Sequence, residues 1–127
     1  MPLIGFQPRF AALVESGKKT QTIRAPRKVP IRVGDRLYLW TGLRTKKARK
    51  LGEGIVESVE RIEFSEDGTG RILRTGSRRL WRRLRHAPFA HSIAVADGFE
   101  NYADMLDWFE HTHGLPFRGV LVRWRLA

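Results

Sequence analysis

The chain contains no cysteine, and none of its 127 residues falls within a long run of apolar side chains. The missing thiols exclude disulfides and thiolate metal sites, so the sequence suits a reducing compartment. No apolar run approaches the ~20 residues of a bilayer-spanning helix. The first six residues lack the charged and apolar regions of a signal peptide. We therefore expect a soluble, cytoplasmic protein with no membrane partner.

Acidic residues are scarce relative to basic ones. The chain has 13 Asp and Glu against 24 Lys and Arg, which gives a formal net charge of +11. Such a charge attracts polyanions, of which nucleic acid is the commonest, although a generally basic proteome is another explanation. The basic segments lack an apolar helix face with aromatic anchors, which disfavours a membrane surface. We expect RNA or a modified nucleoside as the partner, and the sequence leaves the oligomeric state open.

Size and hydrophobic content predict one globular domain over residues 1–127. The hydrophobic fraction of 42% is typical of a folded core rather than a disordered chain. Apolar spacing predicts a short helix over residues 8–16 and a longer one between Asn101 and Gly114. Much of the remaining chain alternates in the manner of strands. The predicted fold class is therefore α+β.

The segment from Gly17 to Arg24 carries the most chemical information. It reads as a helix end followed by a strand, with Lys19 and Thr22 three residues apart across that corner. A lysine near a threonine hydroxyl is a candidate base and nucleophile pair if the lysine pKa is lowered. Arg24 shares a strand face with Thr22. A basic helix end before an ordinary strand, with Lys19 and Arg24 contacting only phosphate, explains the same residues.

Two basic segments are predicted to contact nucleic acid through phosphates. One is the polar connection over residues 41–50, and the other is the arginine-rich segment over residues 78–85. Apolar residues in the second segment have helical spacing, so it is either a basic helix or an irregular arm. The predicted contact residues are Lys46, Lys47, Arg49, Arg78, Arg79, Arg82 and Arg83.

An ordered set of motifs resembles the ASCH domains of the PUA-like superfamily. The family signature, Gly-x-Lys-x-x-(Glu or Thr)-x-Arg, is matched by Gly17, Lys19, Thr22 and Arg24. The later motifs are Gly34-Asp35, Ala96-Asp97-Gly98-Phe99 and Phe117-Arg118-Gly119-Val120. The resemblance covers nearly the whole chain. It implies a single ASCH/PUA-like domain with a small β-barrel flanked by two or three helices.

Many ASCH domains have glutamate where this chain has Thr22. With threonine there, the chain resembles one small ASCH subgroup of amidohydrolases. Those enzymes remove the acetyl group of N(4)-acetylcytidine with a lysine, a threonine and a later glutamate. The resemblance implies that Lys19 and Thr22 are catalytic, with Asp97, one methylene shorter than glutamate, as the third residue. Asp97 in a simple turn before Gly98 is the alternative. Other superfamily members bind RNA or are linked to its cleavage, so an RNA-binding module and a metal-independent ribonuclease stay open.

Arg24, Trp40 and Arg44 are the predicted substrate-binding residues. Arg24 would neutralise an oxyanion or hold a pyrimidine carbonyl. Trp40 would stack on a base, although a place in the core or the sheet wall explains it too. Arg44 belongs to the run Trp-Thr-Gly-Leu-Arg-Thr, which resembles phage and prophage ASCH proteins. The histidines lack ligand-like spacing and no cofactor motif occurs, so we expect no metal and no cofactor.

Overall fold

The computed structural model describes residues 2–74, 80–84 and 87–127, and its helices and strands confirm the α+β class. None of the helices in these ranges combines the length and apolar character needed to cross a bilayer. The helices are α1 (Pro8–Glu15), α2 (Ala87–Ala96) and α3 (Tyr102–His113). The strands are β1 (Leu3–Phe6), β2 (Gln21–Arg24), β3 (Arg36–Thr41), β4 (Arg49–Phe64), β5 (Gly70–Arg74), β6 (Leu80–Arg83) and β7 (Phe117–Leu126).

The strands form one mixed sheet around the long strand β4. One edge of β4 pairs antiparallel with β7, and its other edge pairs first with β3 and then with β5. Strand β1 joins β3 in parallel, β6 joins β5, and β2 joins β7. Within the described ranges no ladder joins β2 to β1, so the sheet is open. The closed barrel that the resemblance implies is therefore not confirmed.

The basic segment near residue 80 is a strand where the structure describes it, so a helix is wrong for residues 80–83. Strand β6 pairs antiparallel with β5, from Leu80 opposite Arg74 to Arg83 opposite Arg71. Pairing with a neighbouring strand here overrides the local helical spacing, as tertiary context often does. Arg78 and Arg79 lie outside the described residues.

Aromatic packing holds α3 against the sheet. The ring of Phe109 on α3 lies 5.2 Å from that of Phe64 on β4 and 4.9 Å from that of Phe117 on β7, measured between centroids. Phe64 is fully buried, and Met105, four residues before Phe109, lies on the same buried helix face. This packing fixes the last turn of α3 against the sheet, where the ring of His113 lies 5.1 Å from that of Phe117.

The turn after α1 positions the start of β2. Pro8 begins α1, where its missing N–H costs nothing, and Gly17 follows the helix with a φ of +80°. Glycine adopts this left-handed conformation without the penalty that a Cβ atom brings. The turn lets the Lys19 amide donate to the Leu13 carbonyl at 2.9 Å. Lys19 is therefore anchored to α1 two residues before β2 starts.

Candidate active site

A cavity of about 240 Å³ lies between β1, β2, α1, α3 and the segment that follows α2. Lys19, Thr22, Arg24 and Asp97 all line it. The first three come from the signature segment, and Asp97 comes from the motif 73 to 78 residues later in the chain. The fold thus brings the predicted catalytic residues and one predicted substrate-binding residue to one place.

Aromatic side chains form much of the cavity wall. Phe10 of α1 packs edge-on against Phe99 with 5.4 Å between ring centroids, and Trp108 of α3 lies 6.3 Å from Phe10. Phe6 of β1 also lines the cavity. These rings carry no charge and exclude water, so the polar groups beside them interact in surroundings of low dielectric constant.

Lys19 is a buried cation held by Asp97. Its side chain is 3% exposed, and its Nζ lies 3.3 Å from Oδ1 of Asp97. The same Nζ donates a hydrogen bond to the backbone carbonyl of Asp97. The amine also lies 5.0 Å from the ring centroid of Phe10. The amine therefore touches a carboxylate, a carbonyl and an aromatic face, and all three favour its charged form.

The C-terminal end of α2 delivers Asp97 to the cavity. The Gly98 amide donates to Val95 and the Phe99 amide to Ala94, which is the hydrogen-bond pattern of a Schellman cap. Gly98 has a φ of +97°, the left-handed conformation that this cap requires. Asp97 is the last residue before that reversal. Its carbonyl belongs to the negative end of the helix dipole and faces the Lys19 cation.

Gln21 is a buried site residue that the sequence reasoning missed. Its Nε2 donates to the Ile93 carbonyl at 3.1 Å and to Oδ1 of Asp97 at 3.3 Å, and the residue is 3% exposed. The amide therefore fixes the orientation of the carboxylate that faces Lys19. Lys19 precedes β2, so strand alternation does not relate the two positions, and the signal in the sequence was the place of Gln21 inside the signature segment.

Arg24 ties Thr22 to the neighbouring strand. Its Nε donates to Oγ1 of Thr22 at 2.9 Å, and its Nη2 donates to the Gly5 carbonyl of β1 at 2.6 Å. The guanidinium carbon lies 4.9 Å from the ring centroid of Phe6. The side chain bridges β2 and β1, which share no ladder in the described part of the sheet. Its positive charge favours negative charge developing on the threonine oxygen.

Burial shifts the pKa values of Lys19 and Asp97 in opposite directions. Burial lowers the pKa of Lys19, Asp97 raises it in opposition, and the charges of Arg24 and Arg9 lower it further. Burial raises the pKa of Asp97, and the Lys19 charge and the Gln21 hydrogen bond oppose that rise. Both shifts favour the uncharged forms, because low dielectric surroundings penalise each charge. The site therefore eases access to a neutral lysine amine.

Two predicted substrate-binding residues lie away from this cavity. Trp40 is half-buried in β3 opposite Lys50, and Arg44 is exposed in the connection to β4 with a φ of +67°. Neither is among the residues that line the cavity within the described ranges. Trp40 lies on β3 opposite Gly5 of β1, and Arg44 lies in the connection after β3, whereas the lining residues come from β1, β2, α1, α3 and the segment that follows α2.

The basic connection between β3 and β4 is a separate surface. Lys46 and Lys47 are exposed there, and Arg49 is paired with Glu15 of α1 at 2.6 Å. Arg83 is exposed on β6. For Arg82 the structure describes only the backbone, which pairs with Ile72.

The last turn of α3 contributes Thr112 and His113 to the cavity lining, which the sequence reasoning did not anticipate. Trp108 and Thr112 are four residues apart, as are Phe109 and His113, and helical spacing puts each pair on one face. His113 packs against Phe109 with 5.7 Å between ring centroids. No group of three or more His, Cys, Asp or Glu suited to a metal ion occurs in the parts of the chain that the structure describes.

The architecture is similar to a crystal structure of a mutant ZmASCH protein from Zymomonas mobilis, with a TM-score of 0.51 over 97% of this chain. The chain has an ASCH-like fold. The two sequences are 16% identical, and this chain spans 66% of the length of that chain. No protein-family model and no curated protein matches the sequence. In this ASCH-like fold, the signature segment forms the corner and the strand that carry Lys19, Thr22 and Arg24.

Proposed function

We propose that the protein hydrolyses the amide of an acylated cytosine, such as the acetyl amide of N(4)-acetylcytidine. The observation that carries this proposal is the meeting of Lys19, Thr22, Arg24 and Asp97 in one aromatic-walled cavity. The volume of about 240 Å³ lies just below the ~300–1,000 Å³ of pockets for drug-sized ligands. Such a volume suits one base with a small acyl group.

In the proposed reaction Thr22 is the nucleophile and Lys19 the base. The Oγ atom attacks the acyl carbonyl carbon while the neutral Lys19 amine takes the hydroxyl proton, directly or through one water. Burial supports this role because it lowers the pKa of Lys19. The hydrogen bond from Arg24 uses a lone pair of Oγ and leaves the hydroxyl proton free for transfer.

The tetrahedral intermediate then collapses with loss of the amine. Arg24 offsets the negative charge of the oxyanion, and Lys19 returns its proton to the exocyclic nitrogen as the C–N bond breaks. Water next cleaves the acyl ester on Thr22 and releases the carboxylic acid. Asp97 and Gln21 position the Lys19 amine throughout, since they contact it or each other.

The test is turnover of N(4)-acetylcytidine by purified protein. We expect Thr22→Ala to lower kcat by at least about a hundredfold, since a missing proton-transfer or nucleophilic group costs that much or more. Thr22→Ser keeps a hydroxyl and should retain part of the activity. Thr20→Ala, two residues away and outside the cavity lining, is the matched control and should behave as the wild type. Unchanged turnover by Thr22→Ala would remove threonine from the mechanism.

A second candidate function is RNA binding without catalysis. It is favoured by the exposed side chains of Arg44, Lys46 and Lys47 in one connection, on a chain with a net charge of +11. Phosphate contacts of this kind need no reaction and little sequence specificity. A labelled RNA in the same assay separates the possibilities. Retention of intact RNA indicates binding, and shortening of it indicates a ribonuclease.

A further inference from the structure

Arg9 lies on two of the rings that form the cavity wall. Its guanidinium carbon is 4.8 Å from the ring centroid of Phe10 and 5.1 Å from that of Phe99. Both rings line the cavity, whereas Arg9 itself is exposed on the first turn of α1. Arg9 is not among the residues that line the cavity, so this exposed cation contacts the aromatic wall from outside the lining.

Arg9 contacts two cavity-wall rings, and no carboxylate lies within salt-bridge distance of it in the described ranges. Several other arginines are paired: Arg36 with Glu53, Arg49 with Glu15, Arg71 and Arg118 with Glu63, and Arg123 with Glu60. Contact with the two rings restricts the guanidinium. Its N–H groups point along the plane of the group, which leaves them available for an anion.

The charge of the cavity favours an anionic substrate. Arg24 contributes a guanidinium cation to the lining, and Lys19 adds a second cation in its protonated form, which Asp97 faces. Arg9 adds a further cation close enough to Lys19 to act on its titration. If the cavity holds the base of a nucleotide, the ribose phosphate lies outside the cavity. Arg9 also lies outside the cavity lining.

We propose that Arg9 binds a phosphate group of the substrate, so that the site prefers a cytosine nucleotide, free or within RNA, to the uncharged nucleoside. Planar guanidinium groups match the geometry of phosphate oxygens and form paired hydrogen bonds with them. This inference rests on the proposed function, because it assigns the base of the substrate to the cavity. It specifies in addition that the preferred substrate carries a phosphate group.

The test compares the affinities of cytidine, cytidine 5′-monophosphate and cytidine 3′-monophosphate by titration calorimetry. Cytidine and its phosphates carry no acyl group, so hydrolysis does not affect the measurement. We expect at least one nucleotide to bind about tenfold more tightly than cytidine, the gain of one charged hydrogen-bonded contact. The two monophosphates distinguish a phosphate on the 5′ side from one on the 3′ side.

Arg9→Gln should remove the preference for nucleotide and leave the affinity for cytidine unchanged. Arg9→Lys keeps the charge but loses the planar group, so it should retain part of the preference. Arg125→Gln, the same change on an exposed arginine of β7, is the matched control. Equal affinities in the wild type, no binding of any of the three ligands, or a preference that survives Arg9→Gln would overturn the proposal.

Turnover of acetylated substrates separates this proposal from the proposed function. If the wild-type protein turns over no acetylated substrate but prefers nucleotides to cytidine in an Arg9-dependent way, the hydrolase is rejected and the phosphate site is kept. Turnover of N(4)-acetylcytidine with no preference for its phosphates would reject the phosphate site and keep the hydrolase.

Discussion

Lys19 and Asp97 are the two side chains of the site whose burial costs the most free energy, because each carries a charge in its ionised form. Both residues are almost fully buried, and burying an ion costs several kcal/mol, on the order that a good ion pair recovers. Gln21 and the end of α2 add hydrogen bonds that reduce this cost. A pair of this kind is weak evidence for stability alone, and its place in a cavity favours a role in chemistry.

The pH dependence of turnover tests the role of Lys19 as a base. Activity should rise with pH as the amine loses its proton, and the midpoint should lie below the ordinary lysine value of 10.5 because burial lowers this pKa. Asp97→Asn removes a charge that raises the pKa of Lys19, so the rise should move to lower pH. The measurement is kcat/KM across pH for both proteins.

Gln21→Glu also tests the role of Lys19 as the base, and it should shift the pH profile in the opposite direction to Asp97→Asn. A second carboxylate beside Lys19 would raise its pKa and move the rise in activity to higher pH. Profiles of Asp97→Asn and Gln21→Glu that superimpose on the wild-type curve would contradict the assignment of Lys19 as the base.

The turn at the end of α2 fixes the position of Asp97 in the site. Gly98 has a φ of +97°, and a Cβ atom added there would lie 2.8 Å from Cδ1 of Phe10. One substitution would therefore strain the helix cap and displace a ring of the cavity wall. The position of Asp97 depends on the same reversal of the chain.

Gly98→Ala should lower both stability and turnover. The backbone penalty alone is about 1–2 kcal/mol for a left-handed residue, and displacement of Phe10 adds to it. Gly34→Ala is the matched control, because Gly34 has a φ of +92° and nothing within 4 Å of an added Cβ. Urea unfolding and the turnover assay measure the two effects. Equal losses in both variants would show that the cap contributes nothing specific to the site.

The charge of the complete chain bears on the partner rather than on the reaction. The formal charge of +11 acts over about 8 Å at physiological ionic strength, so it attracts a polyanion before any specific contact forms. Two groups of cations are proposed to bind different parts of a nucleic-acid ligand. The connection between β3 and β4 would bind an RNA backbone, whereas Arg9 would bind one phosphate beside the cavity.

Charge reversal in the connection tests the binding of a polymer. Lys46→Glu combined with Lys47→Glu should weaken binding of single-stranded RNA and flatten its dependence on salt by about 0.7 in log–log slope per lost contact. Thr22→Ala should leave RNA binding unchanged. Arg61→Glu with Arg125→Glu, an equal charge change at exposed positions elsewhere, is the control. If both pairs reduce binding equally, net charge rather than the connection attracts RNA.

Local patterns predict α1 and α3, but they did not predict α2, and they predict the sheet less well than those two helices. The caps at Pro8, Gly17, Asn101 and Gly114 bound α1 and α3, because helix ends depend on neighbours a few residues away. The strand at residues 80–83 was not predicted, since it forms by pairing with β5. Whether the sheet closes also depends on strands that are distant in the chain, and the expectation of a barrel came from the resemblance rather than from a local pattern.

The amino-acid order alone determines the basic charge, predicts the α+β class and singles out the segment that contains Lys19, Thr22 and Arg24, since these depend on composition and short-range spacing. Tertiary structure alone brings Asp97 to that segment and surrounds it with Phe10, Phe99 and Trp108. It also buries Lys19, and burial is what lowers the pKa of the amine. The physical reason is that desolvation and convergence depend on residues far apart in the chain, which no local pattern encodes.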